Sequence, residues 1–189
     1  MLFRSDTPLQ TIKKVGVIGA GTMGGGISMN FANVGIPVKI LEMDQAALDK
    51  GLGIVKKNYE ASAWKGRISS EDVDVRMGLI EGTTNYSDLK DVDLVIEAVF
   101  ENMDVKKEVF SKLNETVSEN TILASNTSYL DIDEIATVVD NPERVLGMHF
   151  FSPANIMRLL EIIKAEKTSP AILATVLKLA KNIKKVGAV

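Results

Sequence analysis

Short apolar runs alternate along the chain with stretches whose apolar residues recur three and four positions apart. Near-continuous apolar runs are typical of parallel strands covered on both faces, and the wider spacing is typical of helices that pack on them. The pattern therefore predicts an α/β fold with a doubly wound, mainly parallel sheet. The predicted central strands are residues 15–18, 38–41, 94–96, 121–124 and 145–148.

The stretch after the second strand is too long for a simple crossover. Residues 44–63 have helical spacing, residues 65–67 interrupt it, and residues 69–72 have the pattern of a second helix cap. We therefore expect a helical hairpin inserted there. Residues 80–84 and 158–164 are further predicted strands. A last helix is expected from Pro170 to about Lys185, with a solvated face that carries Lys178, Lys181, Lys184 and Lys185.

A glycine-rich segment joins the first strand to the first predicted helix. Its sequence, Gly19-Ala20-Gly21-Thr22-Met23-Gly24, matches G-x-G-x-x-G in the strand-to-helix context that the pattern requires. The glycines allow a tight turn, a close approach to a pyrophosphate and close helix packing, and the helix amides face the phosphates. The segment predicts a Rossmann-type dinucleotide site, with a tight turn that binds nothing as the alternative.

The second strand is followed directly by Glu42, 18 residues after Gly24. A carboxylate there accepts hydrogen bonds from the adenosine ribose hydroxyls and repels a 2′-phosphate. The sequence therefore predicts NAD and not NADP as the cofactor. Asp44 is the rival acid, but its position favours a role as the cap of the next helix.

Composition narrows the chemistry further. The 189 residues are 46% hydrophobic and 25% charged with a net charge of −3, so one soluble domain with no preference for nucleic acid is expected. There is no cysteine and a single histidine, His149, which excludes disulfides, thiolate catalysis and multi-histidine metal sites. We therefore predict no metal.

The N-terminal residues show no address that we recognise. A secretory signal needs about 7–15 uninterrupted apolar residues, and Arg4, Ser5 and Asp6 interrupt the short apolar start. No run of about 18 apolar residues exists either. We expect a cytoplasmic protein, with residues 1–11 as an arm or linker and residues 12–189 as the nucleotide-binding domain.

Four segments, taken in order, resemble the L-3-hydroxyacyl-CoA dehydrogenase family. They are GAGTMGGGI at 19–27, DLVIEAVFEN at 93–102, ASNTS at 124–128 and HFFSPA at 149–154. The resemblance runs from Ile12 to the end of the chain. More loosely, residues 6–9 resemble the linker before the dehydrogenase part of multifunctional fatty-acid oxidation proteins.

The resemblance implies oxidation of a 3-hydroxyacyl-CoA to a 3-ketoacyl-CoA with hydride transfer to NAD. It implies His149 as the catalytic histidine, Glu161 as its carboxylate partner and Ser128 as a residue that contacts substrate and cofactor. It places Lys65 near the coenzyme A phosphates. Further cofactor contacts are implied at Ala98, Glu101, Lys106 and Ser152, the last standing where many members of the family have asparagine.

The residues themselves make His149 and Glu161 a sensible pair. Alcohol oxidation needs a base for the hydroxyl proton, and histidine titrates in the right range. If Glu161 lies on a strand, it shares a face with Leu159 and Ile163, where a carboxylate needs a partner. The alternatives are a core histidine and an exposed glutamate on a short helix.

Other assignments also have alternatives. Lys106 and Lys65 could be solvated surface lysines, and Trp64 beside Lys65 could pack in its helix or stack on adenine. Among functions, a 3-hydroxyacid dehydrogenase of the 6-phosphogluconate dehydrogenase type is a rival, but such enzymes generally use a catalytic lysine. A non-catalytic NAD-binding module is the second rival.

The family resemblance also implies an all-helical domain that completes the acyl pocket and forms a dimer, and this sequence ends at Val189 without it. We therefore expect the 189-residue chain to bind NAD but to turn over substrate poorly. We also expect self-association through the apolar face that the helical domain would cover.

Overall fold

The computed structural model describes residue 4 and residues 6–189. Within these residues it contains eight strands and six α-helices. The strands are β1 (Val15–Ile18), β2 (Val38–Leu41), β3 (Ile80–Thr83), β4 (Leu94–Glu97), β5 (Ile122–Ser125), β6 (Val145–Phe150), β7 (Leu159–Ile163) and β8 (Val186–Ala188). The helices are α1 (Thr22–Ala32), α2 (Gln45–Trp64), α3 (Ser70–Gly78), α4 (Met103–Thr116), α5 (Ile132–Ala136) and α6 (Pro170–Asn182).

All eight strands form one sheet in the order β3-β2-β1-β4-β5-β6-β7-β8. Every neighbouring pair is parallel except β6 and β7, which are antiparallel. The predicted doubly wound, mainly parallel α/β sheet is therefore confirmed. The strand order reverses between β1 and β4, and open sheets of this kind bind ligands where the order reverses.

The core forms two apolar clusters, one on each face of the sheet. In β4, Leu94 and Ile96 belong to the cluster packed under α1, α2, α3 and α6, and Val95 belongs to the cluster under α4 and α5. Because successive strand residues point to opposite faces, a strand covered on both faces must be apolar throughout. This requirement explains the uninterrupted apolar runs of the sequence.

Two helices, α2 and α3, lie between β2 and β3, where the pattern predicts a helical hairpin. Asp44 caps α2 by accepting a hydrogen bond from the Ala47 amide at 2.7 Å, so its interpretation as a cap is confirmed. Ser69 and Asp72 form a reciprocal capping box at the start of α3. Trp64, at the end of α2, is 88% exposed, so the expectation that it packs in its helix is wrong.

The last helix is shorter than predicted. It ends at Asn182, Lys184 takes a positive φ of 61°, and the chain then forms β8 beside β7. Lys185, predicted on a solvated face, is buried, and its ammonium group donates to the carbonyl oxygens of Ala154 and Met157. The prediction missed β8 because lysines dominate the residues before it.

The predicted arm, residues 1–11, lies partly outside the described residues, since residues 1–3 and 5 are not described. In the described part, the Gln10 amide donates to the Thr175 hydroxyl on α6 at 3.0 Å. No helix of residue 4 and residues 6–189 is long and apolar enough to cross a membrane.

Candidate active site

The candidate residues meet at the edge of the sheet where β1, β2, β4, β5 and β6 have their carboxyl ends. Residues 19–24 follow β1, Glu42 follows β2, Ala98 follows β4 and Ser128 follows β5 within three residues. His149 lies near the end of β6. Parallel strands end at one edge, so residues far apart in sequence come to a single cleft.

The glycine loop is shaped by two contacts that exclude any side chain. Gly19 has φ +99°, and a Cβ there would lie 2.8 Å from the carbonyl oxygen of Ala98. A Cβ on Gly24 would overlap the carbonyl oxygen of Gly19. Gly21 differs, because a Cβ on it would meet nothing within 4 Å. The space beside Gly21 is open to a ligand.

The first turn of α1 fits an anion. Gly21 is its N-cap, no side chain caps its amides, and its first turn contains no acidic residue. Uncapped amides and the positive end of the helix dipole both favour a negatively charged group. Together with the open space beside Gly21, this end of α1 fits the pyrophosphate of a dinucleotide.

Glu42 faces this loop. Its Oε2 accepts a hydrogen bond from the Ala20 amide at 3.2 Å, and its Oε1 accepts one from the Met43 amide at 2.9 Å. An ionised carboxylate has room for further donors beyond these two. The side chain is therefore held at the tip of the glycine loop with capacity left for ribose hydroxyls.

A cavity of about 200 Å³ opens beside Glu42, between the end of β2 and α4. Its walls include Leu41, Val99 and Val109, with Tyr86 and Lys112 also lining it. Burial raises the pKa of the Tyr86 phenol above its usual value, so this hydroxyl stays neutral. A mainly apolar slot with a few polar groups is the environment that a planar base requires.

His149 and Glu161 lie directly opposite each other in the antiparallel β6–β7 pair. The distance between His149 Nδ1 and Glu161 Oε2 is 2.9 Å. The imidazole side chain is 18% exposed and also lies against Phe151, whose ring centroid is 4.5 Å away. An ionised carboxylate only accepts hydrogen bonds, so Nδ1 carries the proton and Nε2 is left as the basic nitrogen.

The face that carries Glu161 differs from the expectation. Glu161 does share a face with Leu159 and Ile163, but that face is partly open to solvent, and the Glu161 side chain is 48% exposed. The buried face of β7 consists of Leu160 and Ile162. Glu161 is on a strand and not on a short amphipathic helix.

The segment after β5 connects the two sides of the cleft. The Asn126 side-chain oxygen accepts a hydrogen bond from the Phe150 amide at 2.8 Å, which ties this segment to the strand of His149. The Thr127 hydroxyl donates to Glu101 Oε1. Ser128 is exposed beside them. Asn126 was not among the predicted site residues, although a polar residue directly after a strand at this edge is a usable signal.

Lys106 lies elsewhere than expected. It was predicted along the cofactor with a solvated lysine as the alternative, but it is fully buried and its ammonium lies 2.7 Å from Glu97 Oε1. The Lys106 ammonium group therefore lies beneath the cleft, and no part of the Lys106 side chain is exposed in the cleft. Glu97 is the last residue of β4, and its position inside an apolar strand pattern gives no signal of this buried pair.

The remaining predicted residues, Ala98, Ser152 and Lys65, are partly or fully exposed. Ala98 is half-buried and donates its amide to the Ile18 carbonyl, and Ser152 is exposed just after β6. Lys65 is exposed at the far end of α2, which begins beside Glu42 and runs for 20 residues, or about 30 Å. Of the residues that the sequence predicts for the site, Lys65 is therefore the one that the structure places away from this edge of the sheet.

Comparisons with known proteins find relatives that match nearly the whole chain. A family model described as "3-hydroxyacyl-CoA dehydrogenase, NAD binding domain" matches residues 14–189. The chain is 45% identical over 173 residues to a 3-hydroxybutyryl-CoA dehydrogenase of Clostridioides difficile, covering 92% of this chain and 62% of that protein. It is also 45% identical over 179 residues to the peroxisomal bifunctional enzyme of Cavia porcellus, covering 94% of this chain and 24% of that protein.

A solved structure shows the same similarity. The crystal structure of (S)-3-hydroxybutyryl-CoA dehydrogenase from Ralstonia eutropha superposes with a TM-score of 0.92 at 38% identity, covering 94% of this chain and 62% of that one. The chain therefore spans about three fifths of the length of these two bacterial relatives and about a quarter of the guinea-pig enzyme.

Proposed function

The chain belongs to the 3-hydroxyacyl-CoA dehydrogenase family, of which it spans the NAD-binding domain, and we propose that it supplies both the cofactor site and the catalytic pair for oxidising a 3-hydroxyacyl-CoA to a 3-ketoacyl-CoA. One observation carries the catalytic part: Nδ1 of His149 and Oε2 of Glu161 lie 2.9 Å apart at the edge that also holds the glycine loop. Base and cofactor site then face one substrate.

NAD is the cofactor of this family domain. In our proposal the amides at the start of α1 hold its pyrophosphate, Glu42 accepts hydrogen bonds from its adenosine ribose, and the cavity beside Val99 takes its adenine. Ala98, Glu101, Ser128 and Ser152 are the proposed neighbours of its nicotinamide end. When bound, NAD accepts the hydride from the carbon that carries the substrate hydroxyl.

The proposed chemistry of the chain's own residues follows from the protonation of His149. Nε2 accepts the proton of the 3-hydroxyl, because Nδ1–H is already donated to Glu161. The Glu161 carboxylate stabilises the imidazolium that results and keeps the ring oriented. Ser128, exposed at the same edge, is the proposed donor to the substrate oxygen, and Lys65 the proposed contact of the coenzyme A phosphates.

A test of the cofactor proposal compares NADH and NADPH binding by calorimetry. Glu42 repels a 2′-phosphate, so the 189-residue chain should bind NADH about tenfold or more tightly than NADPH. Glu42→Gln should narrow the difference, and Asp44→Asn, which alters only a helix cap, should leave it unchanged. Tighter binding of NADPH by the unaltered chain would reject the assignment.

A test of the catalytic proposal uses acetoacetyl-CoA reduction by NADH. Because the chain spans 62% of the bacterial relative, the assay uses it joined to the part of that relative which it does not match. Glu161→Gln and His149→Gln should each lower kcat by about a hundredfold or more, with NADH binding unchanged. Glu115→Gln, on the exposed side of α4, is the control. Full turnover of the Glu161 variant would remove that residue from the mechanism.

The 189-residue chain by itself should reduce acetoacetyl-CoA only near background. Positioning of the substrate accounts for about 7–11 kcal/mol of such a barrier, and the helical domain that the family resemblance implies would complete the acyl pocket that provides it. We also propose that it self-associates through apolar side chains beside the catalytic pair, among them Ile156, Met157 and Leu159, which are exposed. Sedimentation at increasing concentration tests this. A cytoplasmic location stays a prediction, because the relatives include a peroxisomal enzyme.

A further inference from the structure

Three polar side chains are sealed beneath the cofactor cleft. Glu97, Lys106 and Ser125 are each fully buried, at the ends of β4 and β5 and in α4. Lys106 Nζ lies 2.7 Å from Glu97 Oε1, and the Ser125 hydroxyl donates to Glu97 Oε2 at 2.6 Å. Both carboxylate oxygens are thus engaged, and the proposed chemistry uses none of the three groups.

Losing one partner of a buried ion pair destabilises a protein far more than replacing both partners does. Taking both charges out of water is costly, so the pair is poor evidence of stability by itself. Removing one partner is worse than removing both, because the other charge is then buried and unpaired. Without Lys106, the Glu97 carboxylate would be a buried charge with no positive partner beside it. The contacts around the pair indicate that it fixes a local geometry.

That geometry is the turn after β4. The Val99 amide donates to Glu97 Oε1 at 2.8 Å, and the Ala98 amide donates to the Ile18 carbonyl at 2.8 Å. The Ala98 carbonyl oxygen in turn packs where only a glycine at position 19 leaves room. Val99 forms part of the wall of the cavity beside Glu42. The carboxylate of Glu97 thus holds the wall of the cleft against the glycine loop.

The same turn is tied at its other end. Glu101 accepts a hydrogen bond from the Thr127 hydroxyl, and the Asn126 amide donates to the Glu97 carbonyl at 2.8 Å. Residues 97–101 are therefore bracketed by residues 125–127 of the neighbouring strand end. Lys106, on α4, places its positive charge beside Glu97 at the start of this turn.

We propose that Lys106 is a positioning residue, which neutralises Glu97 under the cleft and so fixes the 98–101 turn for NAD binding without touching the cofactor itself. This inference rests on the proposed NAD site. It differs from the sequence-based expectation that Lys106 lies along the cofactor, and the two lead to opposite results in a double variant.

The test measures NADH binding to the 189-residue chain by calorimetry. Lys106→Met should weaken binding about tenfold or more, because an unpaired carboxylate is costly in this buried place and the turn that Glu97 holds would have to shift. Adding Glu97→Gln should restore binding to within about threefold, since a neutral amide keeps partners in Ser125 and the Val99 amide. Lys107→Met, which alters an adjacent surface pair with Glu134, is the control. A direct contact predicts instead that the double variant stays as weak as Lys106→Met.

Hydrogen exchange in the free protein separates this inference from the proposed function. The Ala98 and Val99 amides should exchange faster in Lys106→Met and return to the unaltered rate in the double variant, whether or not NADH binds. If the unaltered chain fails to bind NADH, the proposed function fails while these rates still decide the inference. Slow, unchanged exchange in Lys106→Met, or no recovery of binding in the double variant, overturns it.

Discussion

The two halves of the cleft are built on different principles. The cofactor half, consisting of residues 19–24, Glu42 and residues 97–101, depends on backbone close approach and on a sealed ion pair. The catalytic half, consisting of His149, Ser152 and Glu161, depends on strand register and on one hydrogen bond, from His149 to a carboxylate that is 48% exposed. Binding and folding are therefore coupled in the first half, and the chemistry in the second half is separable from folding.

The difference follows from where each half lies in the sheet. The cofactor half sits at the reversal between β1 and β4, with helices covering both faces. The catalytic half sits at the antiparallel β6–β7 pair, where the Glu161 side of β7 is open. Changes at the closely packed positions of the cofactor half should therefore alter stability and affinity together, and a change at its open position should alter affinity alone.

Gly24→Ala should break the cofactor half. A methyl group there would overlap the Gly19 carbonyl oxygen, and the roughly 1 kcal/mol by which alanine favours a helix cannot offset a displaced backbone. We expect a loss of about 3 kcal/mol or more in the free energy of unfolding, measured with urea, together with loss of NADH binding.

Gly21→Ala is the matched variant. Its backbone, at φ −72° and ψ −169°, suits alanine, and its methyl group would meet nothing within 4 Å. Stability should therefore change by less than about 0.5 kcal/mol, but NADH affinity should fall because the methyl group occupies space meant for the pyrophosphate. Equal loss of stability in the two variants would contradict this division.

Tyr59 tests how the helical layer behind the glycine loop responds to pH. The hydroxyl on α2 donates to Asn33 at 2.9 Å, and burial raises the Tyr59 pKa to about 12. In the unfolded chain this phenol ionises near pH 10. The stability that Tyr59 gains from being neutral in the folded protein is therefore complete below pH 10, and it is lost as the pH rises to about 12. The loss should reach about 2–3 kcal/mol. Tyr59→Phe should remove this part of the alkaline decline, and Tyr129→Phe, at an exposed position, should not.

The sequence predicted the elements that local pattern determines. Strands at 15–18 and 38–41, the glycine loop and the capping residues Asp44 and Ser69 follow from apolar runs, spacing and turn chemistry, and all appear as expected. The opposition of His149 and Glu161 was expected from resemblance, but its geometry depends on an antiparallel register that no local pattern encodes.

What the sequence missed depends on tertiary burial of charged residues. Lys106 was expected along the cofactor and Lys185 on a solvated face, and both are buried, with Glu97 and two carbonyl oxygens as their partners. Asn126 was overlooked because its partner, the Phe150 amide, is 24 residues away. Such partners become visible only when the strands are assembled.

Lys184→Gly should have a small effect on stability and acts on the catalytic half alone. Lys184 follows the end of α6 with φ 61°, a conformation that costs a residue with a side chain about 1 kcal/mol relative to glycine. The turn leads into β8, where Ala188 pairs with Glu161. Since glycine also gains freedom in the unfolded chain, the net stabilisation should be about 0.5 kcal/mol, or one to two degrees in Tm, with NADH affinity unchanged. Lys181→Gly, one turn earlier inside α6, should instead destabilise by about 0.5–1 kcal/mol. If both variants destabilise the protein equally, the positive φ of Lys184 does not lower the stability of this end of the sheet.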